Sequence, residues 1–244
     1  MHHWFWLCPL LAFVSGSIPF GLIIGKFRGI DIREHGSGNI GATNVLRVLG
    51  KKYGLPCFAL DALKGFIPVV LAMNLVQFTG KVPSQFHIAA LDSRALILPA
   101  SEQFMAQLAP VITALMAVLG HSFTPFAGFK GGKGVATSGG VLLALMPAAV
   151  VILLAVWWIV FKLTRYVSLA SIVAAAALPL LTHLGARIHH DKKTHLTLWE
   201  AGTWNKPLFY FSVTIALLVI LKHRSNIGRL LSGTENRFEK SSKL

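Results

Sequence analysis

Thr137-Ser-Gly-Gly-Val-Leu-Leu-Ala-Leu-Met-Pro-Ala-Ala-Val-Val-Ile-Leu-Leu-Ala-Val-Trp-Trp-Ile-Val-Phe161 is 25 residues of nearly unbroken apolar sequence. A bilayer core of about 30 Å takes roughly 20 helical residues. As one helix this stretch is simply a long span, but Met146-Pro147 interrupts it, and proline removes a helix hydrogen bond and collides with the preceding turn. We therefore divide it into a half-span from about Thr137 to Leu145 and a full span after it. A half-span is tolerated in a membrane only where it lines a cavity in the protein.

Working outward, the other spans are Trp4 to Ile24, Leu55 to Phe78, Phe104 to Leu119, Val167 to Leu184 and Pro207 to Leu221. Trp4 to Ile24 lacks the basic start of a signal peptide, so it is read as a span. Between the spans lie a basic loop (25–54), a mixed loop (79–103), a glycine-rich loop (120–136), a polar stretch (185–206) and a tail from Lys222. Without the break the polar motifs fall on both faces of the membrane; with it they share one. Sixteen Lys and Arg between Lys26 and Lys243 then lie on the motif side. Lys81, Arg94, Arg187, Lys192, Lys193 and Lys206 lie opposite, and Lys64 lies within a span. The positive-inside rule predicts N-terminus out, C-terminus in, and the motifs cytoplasmic. The expected fold is an all-α integral membrane bundle of about seven helical segments, some short or broken, forming one polytopic domain over 1–244. No alternating strand pattern is visible.

Composition supports the class. Of 244 residues, 54% are hydrophobic and 13% charged, and the mean hydropathy is +0.64; soluble and disordered chains lie elsewhere. The formal charge of +14 is dispersed through short loops, so it points to membrane orientation and anionic ligands and not to nucleic acid. Cys8 and Cys57 sit in apolar runs as small buried hydrophobes.

Three polar motifs carry the chemistry. In Phe129-Lys-Gly-Gly-Lys-Gly-Val-Ala-Thr137, glycine amides ahead of a helix form a nest for phosphate. Lys130 and Lys133 add charge, while Thr137 and Ser138 either donate to phosphate or cap the helix. It is not a Walker A loop, since Lys stands at 133 where Gly is needed and no strand precedes it. In Gly36-Ser-Gly-Asn-Ile-Gly-Ala-Thr-Asn44, small donors precede Arg47, which follows Thr43 by one helical turn on the same face. In His223-Arg-Ser-Asn-Ile-Gly-Arg229, His223 and Asn226 share a face at a helix end and Arg229 follows. Glu235 pairs with Arg237 or with a motif arginine.

Together with Gly16-Ser-Ile-Pro-Phe-Gly21, Asp61-Ala-Leu-Lys-Gly65, His121, Arg165-Tyr-Val-Ser168 and Gly233-Thr-Glu235, these motifs resemble the membrane glycerol-3-phosphate acyltransferases that use acyl phosphate, the PlsY family. The resemblance covers the chain apart from 79–103 and 185–206, which read as expansions on the outer side. It implies transfer of a fatty acyl group from acyl phosphate to the 1-hydroxyl of glycerol 3-phosphate, giving lysophosphatidate and phosphate, without metal or nucleotide cofactor. It also implies a bacterial inner membrane and membrane lipids around the protein, with the donor supplied by an acyl-ACP:phosphate acyltransferase. Matched onto this sequence, it implies catalytic roles for Ser37, Arg47, Lys133, His223 and Asn226. Substrate binding falls to Gly38, Asn39, Gly41, Thr43, Asn44, Lys130, Gly131, Gly132, Gly134, Thr137, Ser168, Arg229 and Glu235.

For the proton of the attacking hydroxyl, a donor phosphate oxygen is favoured over His223, because the motifs hold no His–carboxylate pair close in sequence. His87 and Asp92 fit the His-x4-Asp spacing of thioester-using acyltransferases but fall in the outer loop. A transporter or channel for organic phosphates is the rival class, since basic glycine-rich breaks also line permeation paths; its two-fold helix repeat is missing. A CDP-alcohol phosphotransferase needs clustered carboxylates, and only nine Asp and Glu are present.

Overall fold

The computed structural model describes residues 3–80, 84–188, 196–198 and 205–238. Lys81, Lys192, Lys193, Lys240 and Lys243, used above for orientation, lie outside these residues. Ten α-helices occur among them: α1 His3–Ser17, α2 Phe20–Phe27, α3 Ala42–Leu49, α4 Lys51–Leu75, α5 Gln103–Ser122, α6 Val135–Leu145, α7 Pro147–Thr164, α8 Val167–Ile188, α9 Lys206–Lys222 and α10 Arg224–Leu231. Five stretches are long and apolar enough to cross a membrane: His3–Phe27, Lys51–Leu75, Ala100–Ala127, Pro147–Thr164 and Val167–Ile188. The pair α9 and α10, bent by 57°, makes a sixth if taken as one span.

The break at Met146-Pro147 falls where the sequence places it: α6 ends at Leu145 and α7 begins at Pro147. With 11 residues, α6 is roughly 16 Å long at 1.5 Å per residue, half a bilayer. One expectation is corrected. The second span stops at Leu75, and Val76–Phe78 instead forms a strand, β1, paired in parallel with β2 (Leu96–Leu98). Asn74 explains the change of course. Its carboxamide Nδ2 donates to the Phe86 carbonyl at 3.0 Å, and its Oδ1 accepts from the Ile88 amide at 2.8 Å. The helix end is thereby tied to the outer loop.

The chain divides into two compact units, one of Met1–Pro147 with Asn205–Leu208 and one of Ala148–Trp204 with Phe209–Leu244. In the first, α4 is the central helix, flanked by α1, α3, α5 and α6. Small residues permit these approaches: a Cβ on Gly65 would press on the Thr137 carbonyl, and one on Gly140 would collide with that of Ala62. Polar groups hold the proline breaks. Ile18-Pro19 separates α1 from α2, and the Ile18 carbonyl accepts a 2.7 Å hydrogen bond from Lys64 Nζ. Thr124 Oγ1 donates to the Ser17 carbonyl at 2.6 Å. In the second unit, Trp157 Nε1 donates to Ser171 Oγ across α7 and α8 (3.2 Å), and the Thr182 and Ser212 hydroxyls lie 2.9 Å apart across α8 and α9.

Candidate active site

Each unit gathers part of the expected site residues. In the first, residues 36–41 lead into α3 through two left-handed glycines, Gly36 (φ 61°) and Gly38 (φ 67°). Asn44 organises this loop: its Nδ2 donates to the Ile32 and His35 carbonyls, both at 3.0 Å, and its Oδ1 accepts from the Ser37 amide at 2.8 Å. The Asn39 Oδ1 accepts from the Gly41 amide at 2.8 Å. Asn44, expected to bind substrate, is thus buried and committed to holding Ser37. Thr43 is exposed and Arg47 half-buried on the next turn of α3.

The glycine-rich loop is the second part. Gly128 (φ 61°), Phe129 (φ 60°) and Gly134 (φ 79°) are left-handed; for a bulky residue such as Phe129 that costs of order 1–3 kcal/mol, a strain that tends to mark functional sites. The Phe129 amide bonds to the Thr124 carbonyl at 2.9 Å, and the Gly132 amide to the His121 carbonyl at 3.1 Å. Lys130 is exposed, Gly131 and Lys133 half-buried, and Thr137 and Ser138 are buried in the first turn of α6. Thr137 Oγ1 and Ser138 Oγ are buried without a hydrogen-bond partner among the described residues. A buried hydroxyl without a partner costs about 1–3 kcal/mol. Two of them at a helix start, beneath a glycine loop, fit an anion that accepts from both.

α4 is common to both loops: Gly54 meets Leu46 of α3, and Gly65 meets Thr137 of α6. On α4 lies a group that the motifs alone did not connect. Asp61 Oδ1 is 2.7 Å from Lys64 Nζ and 3.6 Å from His121 Nδ1, all three side chains being at most 5% exposed. The chain therefore does contain a buried His–carboxylate pair, made by residues 60 positions apart. The available signal was two ionisable residues, i and i+3, in an apolar span, where such residues default to function.

In the second unit, Glu235 is the centre. Its Oε1 accepts from Ser168 Oγ at 2.8 Å and from Asn226 Nδ2 at 2.6 Å, and its Oε2 accepts from Arg229 Nε at 2.7 Å. Its partner is therefore the motif arginine Arg229. Burial pushes the Glu235 carboxyl up, but the bonds from Asn226, Ser168 and Arg229 outweigh this and hold it below its ordinary range. The tail reaches Ser168 because Arg237 donates to the Thr164 carbonyl at 3.2 Å and the Phe238 amide to the Arg165 carbonyl at 3.1 Å. Asn226 Oδ1 is buried without a partner among the described residues, so Glu235 turns the carboxamide and leaves its oxygen to accept from another group. His223 is buried at the bend between α9 and α10, its Nδ1 2.8 Å from the Val219 carbonyl. A carbonyl only accepts, so Nδ1 carries the proton and a neutral ring presents Nε2 as acceptor.

His87 and Asp92 meet through Nε2 and Oδ1 at 3.0 Å on the surface of the loop between β1 and β2. The spacing is thus a surface pair, apart from the polar motifs in sequence.

A family model described as glycerol-3-phosphate acyltransferase matches residues 6–233. The glycerol-3-phosphate acyltransferase of Fusobacterium nucleatum is 43% identical over 231 residues, covering 94% of this chain and 96% of that protein. That of Aquifex aeolicus is 40% identical over 229 residues, covering 94% and 96%. The crystal structure of PlsY, an integral membrane glycerol 3-phosphate acyltransferase, in its glycerol 3-phosphate form superposes with a TM-score of 0.71 at 38% identity over 96% of this chain and 94% of that one. Its lysophosphatidic acid form gives a TM-score of 0.69 at the same identity. A match spanning nearly every helix and all three polar motifs admits one conclusion: this multi-pass membrane protein belongs to the glycerol-3-phosphate acyltransferase family.

Proposed function

We propose that the protein transfers a fatty acyl group from acyl phosphate to the 1-hydroxyl of glycerol 3-phosphate, as one polytopic domain in a bacterial inner membrane with its site on the cytoplasmic side. The observation carrying this reading is the pair of buried, unpartnered hydroxyls of Thr137 and Ser138 under the glycine loop. They suit the oxygens of a phosphate ester or anhydride, the group that both glycerol 3-phosphate and acyl phosphate carry.

In the transfer, the hydroxyl oxygen of glycerol 3-phosphate forms a bond to the acyl carbon as the bond from that carbon to the phosphate oxygen breaks. The hydroxyl proton leaves with the phosphate. Because the leaving group is stable at neutral pH, positioning and anion stabilisation supply most of the rate. We assign the donor phosphate to Lys133, Lys130, the amides of Gly131, Gly132 and Gly134, and Thr137. The phosphate of glycerol 3-phosphate is assigned to Arg47 with Ser37, Gly38, Asn39, Gly41 and Thr43. Within the second unit Ser168, Arg229 and Glu235 hold Asn226, and the catalytic roles of Asn226 and His223 are those that the family resemblance implies. The His121–Asp61 pair does not replace substrate phosphate as the base: Lys64 neutralises Asp61, and His121 Nε2 is packed against Gly132. An acyl-ACP:phosphate acyltransferase is the donor source that the family resemblance implies.

The test is product formation by purified protein from acyl phosphate and glycerol 3-phosphate, with chelator present, beside an acyl-CoA arm and a liposome flux assay. Lysophosphatidate from the acyl phosphate arm alone is expected. Activity only with acyl-CoA overturns the donor, and flux of glycerol 3-phosphate without acylation overturns the enzyme reading in favour of transport.

A further inference from the structure

Asp61, Lys64 and His121 take no direct part in the transfer as assigned, yet they form the most completely buried ionic group described in the chain. Asp61 and Lys64 lie near the middle of the 25-residue helix α4, where an isolated charge is strongly disfavoured. Burying a pair there is tolerated only when each partner is satisfied by further bonds. Lys64 Nζ is: it meets Asp61 Oδ1 at 2.7 Å and the Ile18 carbonyl at 2.7 Å, and lies 5.5 Å from the Phe20 ring centre. Lys64 balances the charge of Asp61 and His121 faces the same Oδ1, but nothing in that contact requires an imidazole, so the choice of histidine needs a separate reason.

That reason is at the far side of the imidazole. His121 Nδ1 faces Asp61 Oδ1 at 3.6 Å. Its Nε2 packs against Gly132, where any added Cβ would collide with the ring. The carbonyl of the same residue accepts the Gly132 amide at 3.1 Å. Gly131 crosses the backbone just beside it, where a Cβ would run into the His121 carbonyl and the Ser122 backbone. The glycine loop is therefore seated on both the ring and the backbone of His121, one residue before Lys133 and two before the left-handed Gly134 that starts α6.

We infer that His121 is a positioning residue that seats the glycine loop, oriented by Asp61 with Lys64 as counter-charge, so that this buried triad sets where Lys133 and the first turn of α6 meet the substrate phosphate. The inference rests on the assignment of that loop to a substrate phosphate made above. Displacement by about 1 Å in such a loop costs up to a hundredfold in rate, so the packing has kinetic consequences.

A coupling experiment separates seating from mere helix gluing. His121→Ala and Gly132→Ala each lower kcat/KM about tenfold or more, but removal of the ring also removes the collision, so the double variant is about as active as His121→Ala alone. Gly131→Ala is the control: its added Cβ faces backbone, and its loss multiplies with that of His121→Ala. The double variant Asp61→Leu/Lys64→Met removes the charges together; it melts within a few degrees of wild type in detergent yet keeps a raised KM for the substrate held by the loop. Multiplicative losses for His121→Ala and Gly132→Ala, or wild-type kinetics in Asp61→Leu/Lys64→Met, overturn the inference. If the KM that rises is that of glycerol 3-phosphate, the triad's role stands and the assignment of the loop to the donor falls. If wild type ignores acyl phosphate, the donor reading fails on wild type alone, and the cycle is read with the acyl donor it does use.

Discussion

Replacing Glu235 separates its three bonds. Glu235→Gln keeps a carbonyl oxygen to accept from Ser168 and Asn226 but turns an NH2 toward Arg229 Nε, which now stands 2.7 Å away. A hydrogen bond to a charged group contributes about 1.5–3 kcal/mol, and Arg229, a third exposed, belongs at the low end. At about 1.4 kcal/mol per decade, Glu235→Gln loses about tenfold in kcat/KM if the strain reaches Asn226. Glu235→Ala strands the Ser168 hydroxyl and the Asn226 amide as well, each at about 1–3 kcal/mol, so the loss is a hundredfold or more. Stability carries a pH signature. The Glu235 carboxyl titrates below its ordinary value of 4.5 in the folded protein, so its contribution is complete above that value and is lost as pH falls through the depressed folded one. Thermal melts in detergent from neutral pH downward, beside steady-state kinetics, read both effects. Equal activity in wild type and Glu235→Ala, or a melting difference between wild type and Glu235→Gln that persists unchanged in acid, would refute this account of the cluster.

Other variants test the remaining assignments. Arg47→Ala and Lys133→Ala each lose a charge-assisted phosphate contact of about 1.5–3 kcal/mol, so at least about tenfold falls from kcat/KM; near-normal kinetics in folded variants reject the assignment. His223→Ala costs two orders of magnitude, about 2.7 kcal/mol, whereas His87→Ala and Asp92→Ala turn over like wild type; the reverse pattern favours the thioester-type motif. A cysteine at 87 reacts with an impermeant thiol reagent added to intact cells, and one at 226 only after permeabilisation, if the N-terminus is outside. Asn44→Asp replaces the one NH2 group that donates to both the Ile32 and His35 carbonyls with an oxygen, and a lowered melting temperature together with lost activity is expected; a change in KM alone, without loss of stability, makes Asn44 a direct substrate contact.

The spans and the Met146-Pro147 break are legible in sequence because a membrane helix obeys two local rules, apolar length and the proline penalty. β1 and β2 are not. Val76-Gln-Phe78 and Leu96-Ile-Leu98 are three residues each, too short for a period-2 signal, and Val76 continues the apolar run of α4. What ends the helix is Asn74, whose partners Phe86 and Ile88 lie 12 and 14 residues on. In the candidate site, residue types marked the polar motifs while the contacts among them were hidden. Ser37 and Asn44 look alike as small polar donors, yet Asn44 is spent on holding the loop. Glu235 was ambiguous between arginines until the fold of the tail chose Arg229. The Asp61–His121 contact has no sequence periodicity at all.

The Asp61–His121 contact has a physical cause in the way the first unit handles its prolines. Pro68 has no N–H, so the carbonyl of Lys64, four residues back in α4, loses its helical donor. Ser15 Oγ donates to it at 3.2 Å. Pro19 ends α1, and the Ile18 carbonyl at that break accepts from the Phe20 amide at 3.1 Å and from the Lys64 ammonium at 2.7 Å. In hydrocarbon no water can supply the donor that Pro68 lacks, so the Lys64 carbonyl must be met by a side chain. Lys64 thus receives at its backbone and gives at its side chain, joining two helix breaks to Asp61 and, through it, to His121 and the glycine loop. Polar residues gather where the helices break because the breaks require them, and the glycine loop is built beside the place where that requirement has already drawn in charge. On this reasoning Pro68→Ala restores the N–H of α4 and makes the Ser15 hydroxyl redundant. Ser15→Ala then costs stability in the wild-type background and close to none in Pro68→Ala; equal costs in both would show that the proline is not what recruits the hydroxyl.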